Sequence, residues 1–208
     1  LWVVPAAIVF GRIYYVAFTW DHFKDDLWSI VNLRGGGMAI YGSLIGGFLT
    51  GIVYAKAKKI PFLTLCDLAA PAIAAGQAIG RWGNFFNQEA YGIPVVNPAL
   101  QFFPAAVWIE DQAGWFAATF FYESAWCFLI VAFLLIAERK GLFRRPGEGF
   151  LWYMTLYAFE RMIVEGLRTD SLYWGAVRVS QALSIALFVV CAPLLFFSRR
   201  GAKRMKED

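Results

Sequence analysis

Six apolar stretches separated by polar connections run along the chain, at residues 1–19, 38–55, 62–80, 119–137, 147–168 and 179–198. Each is long enough for a helix that crosses a bilayer, which needs about 20 residues. The pattern therefore predicts an all-α fold, a polytopic transmembrane helix bundle with six spans in this chain. Between the third and fourth stretches lies a longer segment, 81–118, rich in Asn, Pro and aromatic residues. So aromatic a segment is expected to fold against the membrane, with Trp and Tyr at the headgroup level. Gly42, Gly46, Gly47 and Gly51 fall on one side of the second stretch, a small-residue face suited to close helix packing rather than a phosphate loop.

Composition agrees with the pattern. Of 208 residues, 60% are hydrophobic and 16% charged, against about a quarter charged in a soluble domain. Residues 1–208 thus read as a single integral membrane domain, which excludes disorder, a disulfide-stapled secreted fold and nucleic-acid binding as a main role. Cys66, Cys127 and Cys191 each sit in an apolar run and are expected to pack as small side chains. No metal ligand cluster and no cofactor are expected from one histidine and scattered cysteines. The chain opens inside an apolar stretch at Leu1, so the natural protein is expected to be longer, with a further span in front.

Charge adds a topology. Lys56, Lys58 and Lys59 follow the second stretch, Arg139, Lys140, Arg144 and Arg145 the fourth, and Arg199, Arg200, Lys203, Arg204 and Lys206 the sixth, together twelve of the 19 basic residues. By the positive-inside rule these connections and the C-terminus are cytoplasmic, and segment 81–118 faces the outer side.

The remaining charges are the candidates for chemistry, because an ionisable group at bilayer depth is costly and normally faces a cavity or a partner. On the fifth stretch Arg161, Glu165 and Arg168 are spaced by four and three, which predicts one shared helix face with Tyr157 a turn below. Glu160, roughly a quarter-turn off that face, is expected to have a different partner. In the run Gly80 to Gly92, GRWGNFFNQEAYG, Arg81 supplies a donor fork for phosphate, Asn84 and Asn87 neutral donors and acceptors, and Glu89, read as half-buried, a tunable base. Gly80, Gly83 and Gly92 would permit sharp turns and close approach to a ligand. Those parts suit a phospholipid headgroup.

That run resembles the signature of the prolipoprotein diacylglyceryl transferases, G-R-x-G-N-F-x-N-x-E-x-x-G, and matches each of its fixed positions. GGGMAIYGSLIGG at 35–47, TFFYES at 119–124, YAFERMIVEGLR at 157–168 and Gln181-x-x-Ser184 resemble the same family in the same order. The resemblance implies a seven-span enzyme of the bacterial plasma membrane with its active site toward the outer face. Such an enzyme moves the diacylglyceryl group of phosphatidylglycerol onto the lipobox cysteine of preprolipoprotein signal peptides and releases glycerol phosphate. Its partners would be those two substrates and membrane lipid, with no nucleic acid. It implies catalytic roles for Arg81, Glu89 and Arg161, and substrate binding by Arg81, Asn84, Asn87, Gly92, Glu165 and Arg168.

This sequence departs from the family in one chemical respect. Where the glycine-rich stretch often carries a His proposed as the base, it has Tyr41, a catalytic candidate expected to act with Glu89: a poorer base at neutral pH that can still donate a hydrogen bond or act once perturbed. The single histidine, His22, falls in a connection and is expected to be an ordinary surface residue. A transporter or channel using the buried Arg and Glu side chains is the alternative, and a structural membrane subunit a third; the first predicts repeat-related spans, which the sequence lacks.

Overall fold

The computed structural model describes residues 2–24, 26–33, 36–171, 173–175 and 177–204, without the side chains of Trp174 and of 198–204. The side chains of the third basic cluster, at 199–206, therefore lie outside the described residues. Six helices follow one another: α1 (Val3–Phe18), α2 (Ile40–Lys58), α3 (Phe62–Phe86), α4 (Thr119–Arg139), α5 (Glu148–Val164) and α6 (Val179–Arg204). Two small hairpins interrupt them, β1 (Ala106–Ile109) with β2 (Gly114–Ala117) and β3 (Tyr173–Trp174) with β4 (Val177–Arg178). The protein is mostly helical, as its apolar pattern predicts. Among the described residues four helices are long and apolar enough to cross a membrane: Ile40–Lys58, Phe62–Phe86, Thr119–Arg139 and, within α6, Val179–Phe197; α1 is apolar but shorter.

The chain divides into two compact units, Leu1–Leu65 and Cys66–Asp208. In the first, α1 packs on α2 through the small-residue face. A Cβ on Gly42 would run into the Phe10 carbonyl, and one on Gly46 would meet the Phe10 Cβ at 2.6 Å, so only glycine allows this approach. Arg12 on α1 is buried and serves as the hub of the connection that follows. Its guanidinium donates to the carbonyls of Ser29, Ile30, Asn32, Gly36 and Gly37 and lies 5.1 Å from the Phe23 ring centroid. Five acceptors for five N–H donors make this a full complement. His22 is exposed, as expected.

In the second unit α3, α4 and α5 share a core of Ala70, Ala74, Ile130, Leu134 and Tyr153. Alanines on α3 let the other helices come close, and polar side chains bridge the helices. Ser124 Oγ donates to the Ala78 carbonyl at 2.8 Å, Tyr153 to Gln77 at 3.0 Å, and Trp126 Nε1 to the Leu156 carbonyl at 3.0 Å. Phe128, Leu129, Leu135 and Ile136 of α4 point outward and are exposed, the inversion of polarity that a lipid environment rewards. Cys127 and Cys191 are buried and Cys66 is half-buried, all as free thiols.

At the start of α5 the Asp67 carboxylate accepts from Gly147 N at 2.6 Å and Phe150 N at 2.8 Å. An acidic side chain from another helix thus satisfies the free N–H groups at this helix start and complements its dipole.

Segment 81–118 carries regular structure of its own. The β1–β2 hairpin pairs Trp108 with Trp115 across the strands, their rings edge to face with centroids 5.9 Å apart. Cross-strand aromatic pairs of this kind stabilise short sheets.

Candidate active site

Consecutive helices of a bundle run in opposite directions, so the end of α3, the start of α4 and the end of α5 meet. Each brings a charged residue there: Arg81, Glu123 and Arg161. Glu123 is 1% exposed. One of its oxygens is ion-paired with Arg81, and the other accepts from Arg161 Nη1 at 2.7 Å. Arg161 Nη2 in turn lies 2.6 Å from Glu165, one helical turn on. Arg168 stands 4.0 Å from Glu123. Two guanidinium groups from different helices are held beside each other by one buried carboxylate, an arrangement that stands only when both charges are compensated.

Glu123 is the residue that sequence reasoning missed. It lies in TFFYES, where the same rule that singled out Arg161 applies: an acid near the start of a long apolar run. Gln181 also joins this region, donating to the Met162 carbonyl at 3.0 Å, and Arg178 donates to the Glu165 carbonyl.

The ladder expected on the fifth stretch is altered. Helix α5 ends at Val164 with Glu165 at its C-cap, so Arg161 and Glu165 share a face but Arg168 lies beyond the helix. Arg168 instead makes a bidentate pair with Asp170, Nε at 2.9 Å and Nη2 at 2.8 Å. Glu165, 2% exposed, pairs with Arg161 alone among the described residues. The Arg168 hydrogen bond holds the Asp170 carboxyl below the ordinary aspartate range. Tyr157 stacks on Tyr153 with centroids 5.9 Å apart.

Signature residues divide between two roles. Helix α3 continues to Phe86, so Gly80 and Gly83 lie within it with nothing near the place of a Cβ, not at turns. The turns with positive φ fall on Gln88 (50°) and Ala90 (56°) instead. Arg81 and Asn84 are half-buried on the last turns of α3, whereas Asn87 and Glu89 are exposed, with Asn87 Nδ2 donating to Glu89 at 3.1 Å. Glu89 is thus not the half-buried acid expected, because the chain has already left the bundle there.

Gly92 is buried, its N–H donating to the Ala117 carbonyl at 2.9 Å, and it bridges antiparallel to Arg168. A Cβ there would stand 2.8 Å from Ala117 Cβ and 2.9 Å from Thr119 Cγ2. Its close approach is to the chain itself, and it seats the turn after α5 against the signature. Glu160, expected to find another partner, has none: neither carboxylate oxygen is hydrogen-bonded among the described residues. Tyr41 belongs to the first unit, on α2, 71% exposed and with its ring centroid 6.5 Å from that of Tyr14.

The family model for Prolipoprotein diacylglyceryl transferase matches residues 1–197. The chain belongs to that family. A phosphatidylglycerol–prolipoprotein diacylglyceryl transferase of Listeria monocytogenes is 45% identical over 203 residues, covering 96% of this chain and 73% of that protein. Proteins of the same description from Bacillus cytotoxicus and Bacillus cereus are each 45% identical, covering 100% and 99% of this chain and 77% and 78% of theirs. The chain thus spans about three quarters of the length of these relatives.

Proposed function

We propose that this protein transfers the diacylglyceryl group of phosphatidylglycerol to the thiol of a lipobox cysteine in a preprolipoprotein. The observation that carries the reading is the convergence of Arg81 and Arg161, from α3 and α5, on Glu123. It sets two donor forks side by side where a phosphodiester would need them. Family membership supplies the substrates.

In this reading phosphatidylglycerol enters sideways from the membrane, Arg81 and Arg161 hold its phosphate, and Asn84 orients the glycerol headgroup. The thiol loses its proton to Glu89, and nearby guanidinium charge favours the thiolate. Sulfur attacks the terminal carbon of the diacylglycerol, the S–C bond forms as the C–O bond breaks, and the electron pair leaves on a phosphate oxygen. Glycerol phosphate departs with one more negative charge than the headgroup phosphate carried, and the arginines stabilise that charge as it develops. Glu123 and Glu165 hold the arginines in position. Arg168, beside Gly92, and Asn87 complete the substrate-binding edge.

The protein sits in the bacterial plasma membrane with this end of the bundle toward the outer face and its basic connections in the cytoplasm. The test supplies the full-length protein with phosphatidylglycerol labelled in its headgroup and a lipobox peptide. Labelled glycerol phosphate should appear with the cysteine peptide and not with its serine counterpart. Release that is the same with both peptides would remove the thiol from the reaction.

A further inference from the structure

Glu160 stands next to the phosphate-binding arginines but takes no part in their network. It is 5% exposed, and among the described residues neither oxygen has a hydrogen-bond partner and no ion pair includes it. The groups that face it electrostatically are Glu123 and Cys127 of α4, Arg81 of α3, and Arg161 and Tyr157 of its own helix. Helix α6 packs along α5, with Phe188 5.9 Å from Phe159, and brings no charged side chain between Val179 and Phe197.

Arg81, Arg161, Arg168 and Arg178 bring four positive charges to this region against three on Glu123, Glu165 and Asp170, so an ionised Glu160 brings the empty site to balance. A phosphodiester arriving at Arg81 and Arg161 would bring a second negative charge into the same poorly solvated space. Two such charges repel strongly where water does not screen them. A proton on Glu160 removes the conflict without disturbing the Arg–Glu pairs.

We propose that Glu160 takes up one proton from solvent when the anionic headgroup of the lipid binds, so that affinity for the lipid is proton-linked through this side chain. The inference rests on the reading that Arg81 and Arg161 hold the phosphate. Linkage is reciprocal: bound lipid favours the protonated acid, and raising the pH weakens lipid binding wherever Glu160 is ionised in the empty site. For one linked proton the dissociation constant changes by up to tenfold per pH unit.

The experiment measures binding of phosphatidylglycerol to the full-length protein in detergent across a pH series, together with proton uptake in weak buffer read by an indicator dye. The wild-type protein should take up as much as one proton per lipid bound and bind more weakly at high pH. Glu160→Gln should take up none and hold its affinity at high pH, while Glu160→Asp should keep the linkage. Equal pH dependence of the wild type and Glu160→Gln would overturn the proposal, as would lipid binding by the wild type without proton uptake. Failure of the wild type to bind phosphatidylglycerol at any pH would instead overturn the phosphate reading, and this inference with it.

Discussion

Arg161 of α5 donates to the Glu123 carboxylate of α4 across 2.7 Å, and this contact joins two helices at the point where the chemistry is placed. Neither residue is stable there alone. Removing one partner of a buried pair leaves the other charge uncompensated, typically at about 3–5 kcal/mol.

That asymmetry gives a first prediction. Glu123→Gln and Arg161→Gln should each destabilise the protein by amounts of that order, and the double variant by less than their sum. A double-mutant cycle on unfolding in detergent should show a coupling of about 0.5–3 kcal/mol. Strict additivity would mean that the pair does not act as one unit.

A second prediction concerns Gly92. An added methyl at Gly92→Ala would press on Ala117 and Thr119 at 2.8 and 2.9 Å, and the backbone bridge to Arg168 is what would yield. Overpacking of this kind costs about 1–3 kcal/mol. Transfer activity should fall by at least the factor expected from lost folded protein, with the excess appearing in KM for the lipid as Arg168 shifts.

Arg12 carries a third. Its five bonds to carbonyls between Ser29 and Gly37 are the described side-chain anchor of that connection. Arg12→Ala should destabilise the protein by about 1–3 kcal/mol, since the half-buried carbonyls of Ser29, Ile30 and Gly37 lose their charged donor. Amide exchange should accelerate at 29–33 and 36–37 first. Arg12→Lys should recover only part of the loss, because an ammonium group presents three donors rather than a planar fork of five.

The Arg168–Asp170 pair gives the fourth prediction, in pH. Asp170 has its pKa lowered in the folded protein by the Arg168 hydrogen bond, so its stabilising contribution is present above the unfolded aspartate value and is lost as pH falls through the folded one. The stability difference between wild type and Asp170→Asn should therefore be level near neutrality and vanish on acidification below the usual aspartate range, about pH 4. Because Asp170 is partly exposed the difference should be small, and salt should reduce it.

The helices were legible because hydrophobic runs of bilayer length have few other solutions, and the Gly42 and Gly46 face foretold the α1–α2 packing. Arg81 and Arg161 were legible because a charge in an apolar run is conspicuous. Glu123 was not singled out, since an acid at the edge of a run reads as a boundary until the opposing arginines are in place. Arg12 and Asp67 were missed for a related reason: their partners are backbone groups, at 29–37 and at the start of α5, which carry no mark in a sequence. The β1–β2 hairpin was hidden by aromatic residues that signal a membrane interface as readily as a strand. The break after Val164 turned on the end of a helix, where three- and four-residue spacing stops describing a common face.

Arg81 and Arg161, gathered by Glu123, are read as holding the lipid phosphate while a cysteine thiol takes the diacylglyceryl group. The mass of a lipobox peptide incubated with phosphatidylglycerol and the full-length wild-type, Arg81→Ala or Arg161→Ala protein decides whether they do. The wild type should convert the peptide to its diacylglyceryl thioether, and both variants, once shown by their unfolding transitions to be folded, should leave it unmodified. An unmodified peptide with the wild type, or full conversion by either variant, would contradict the claim.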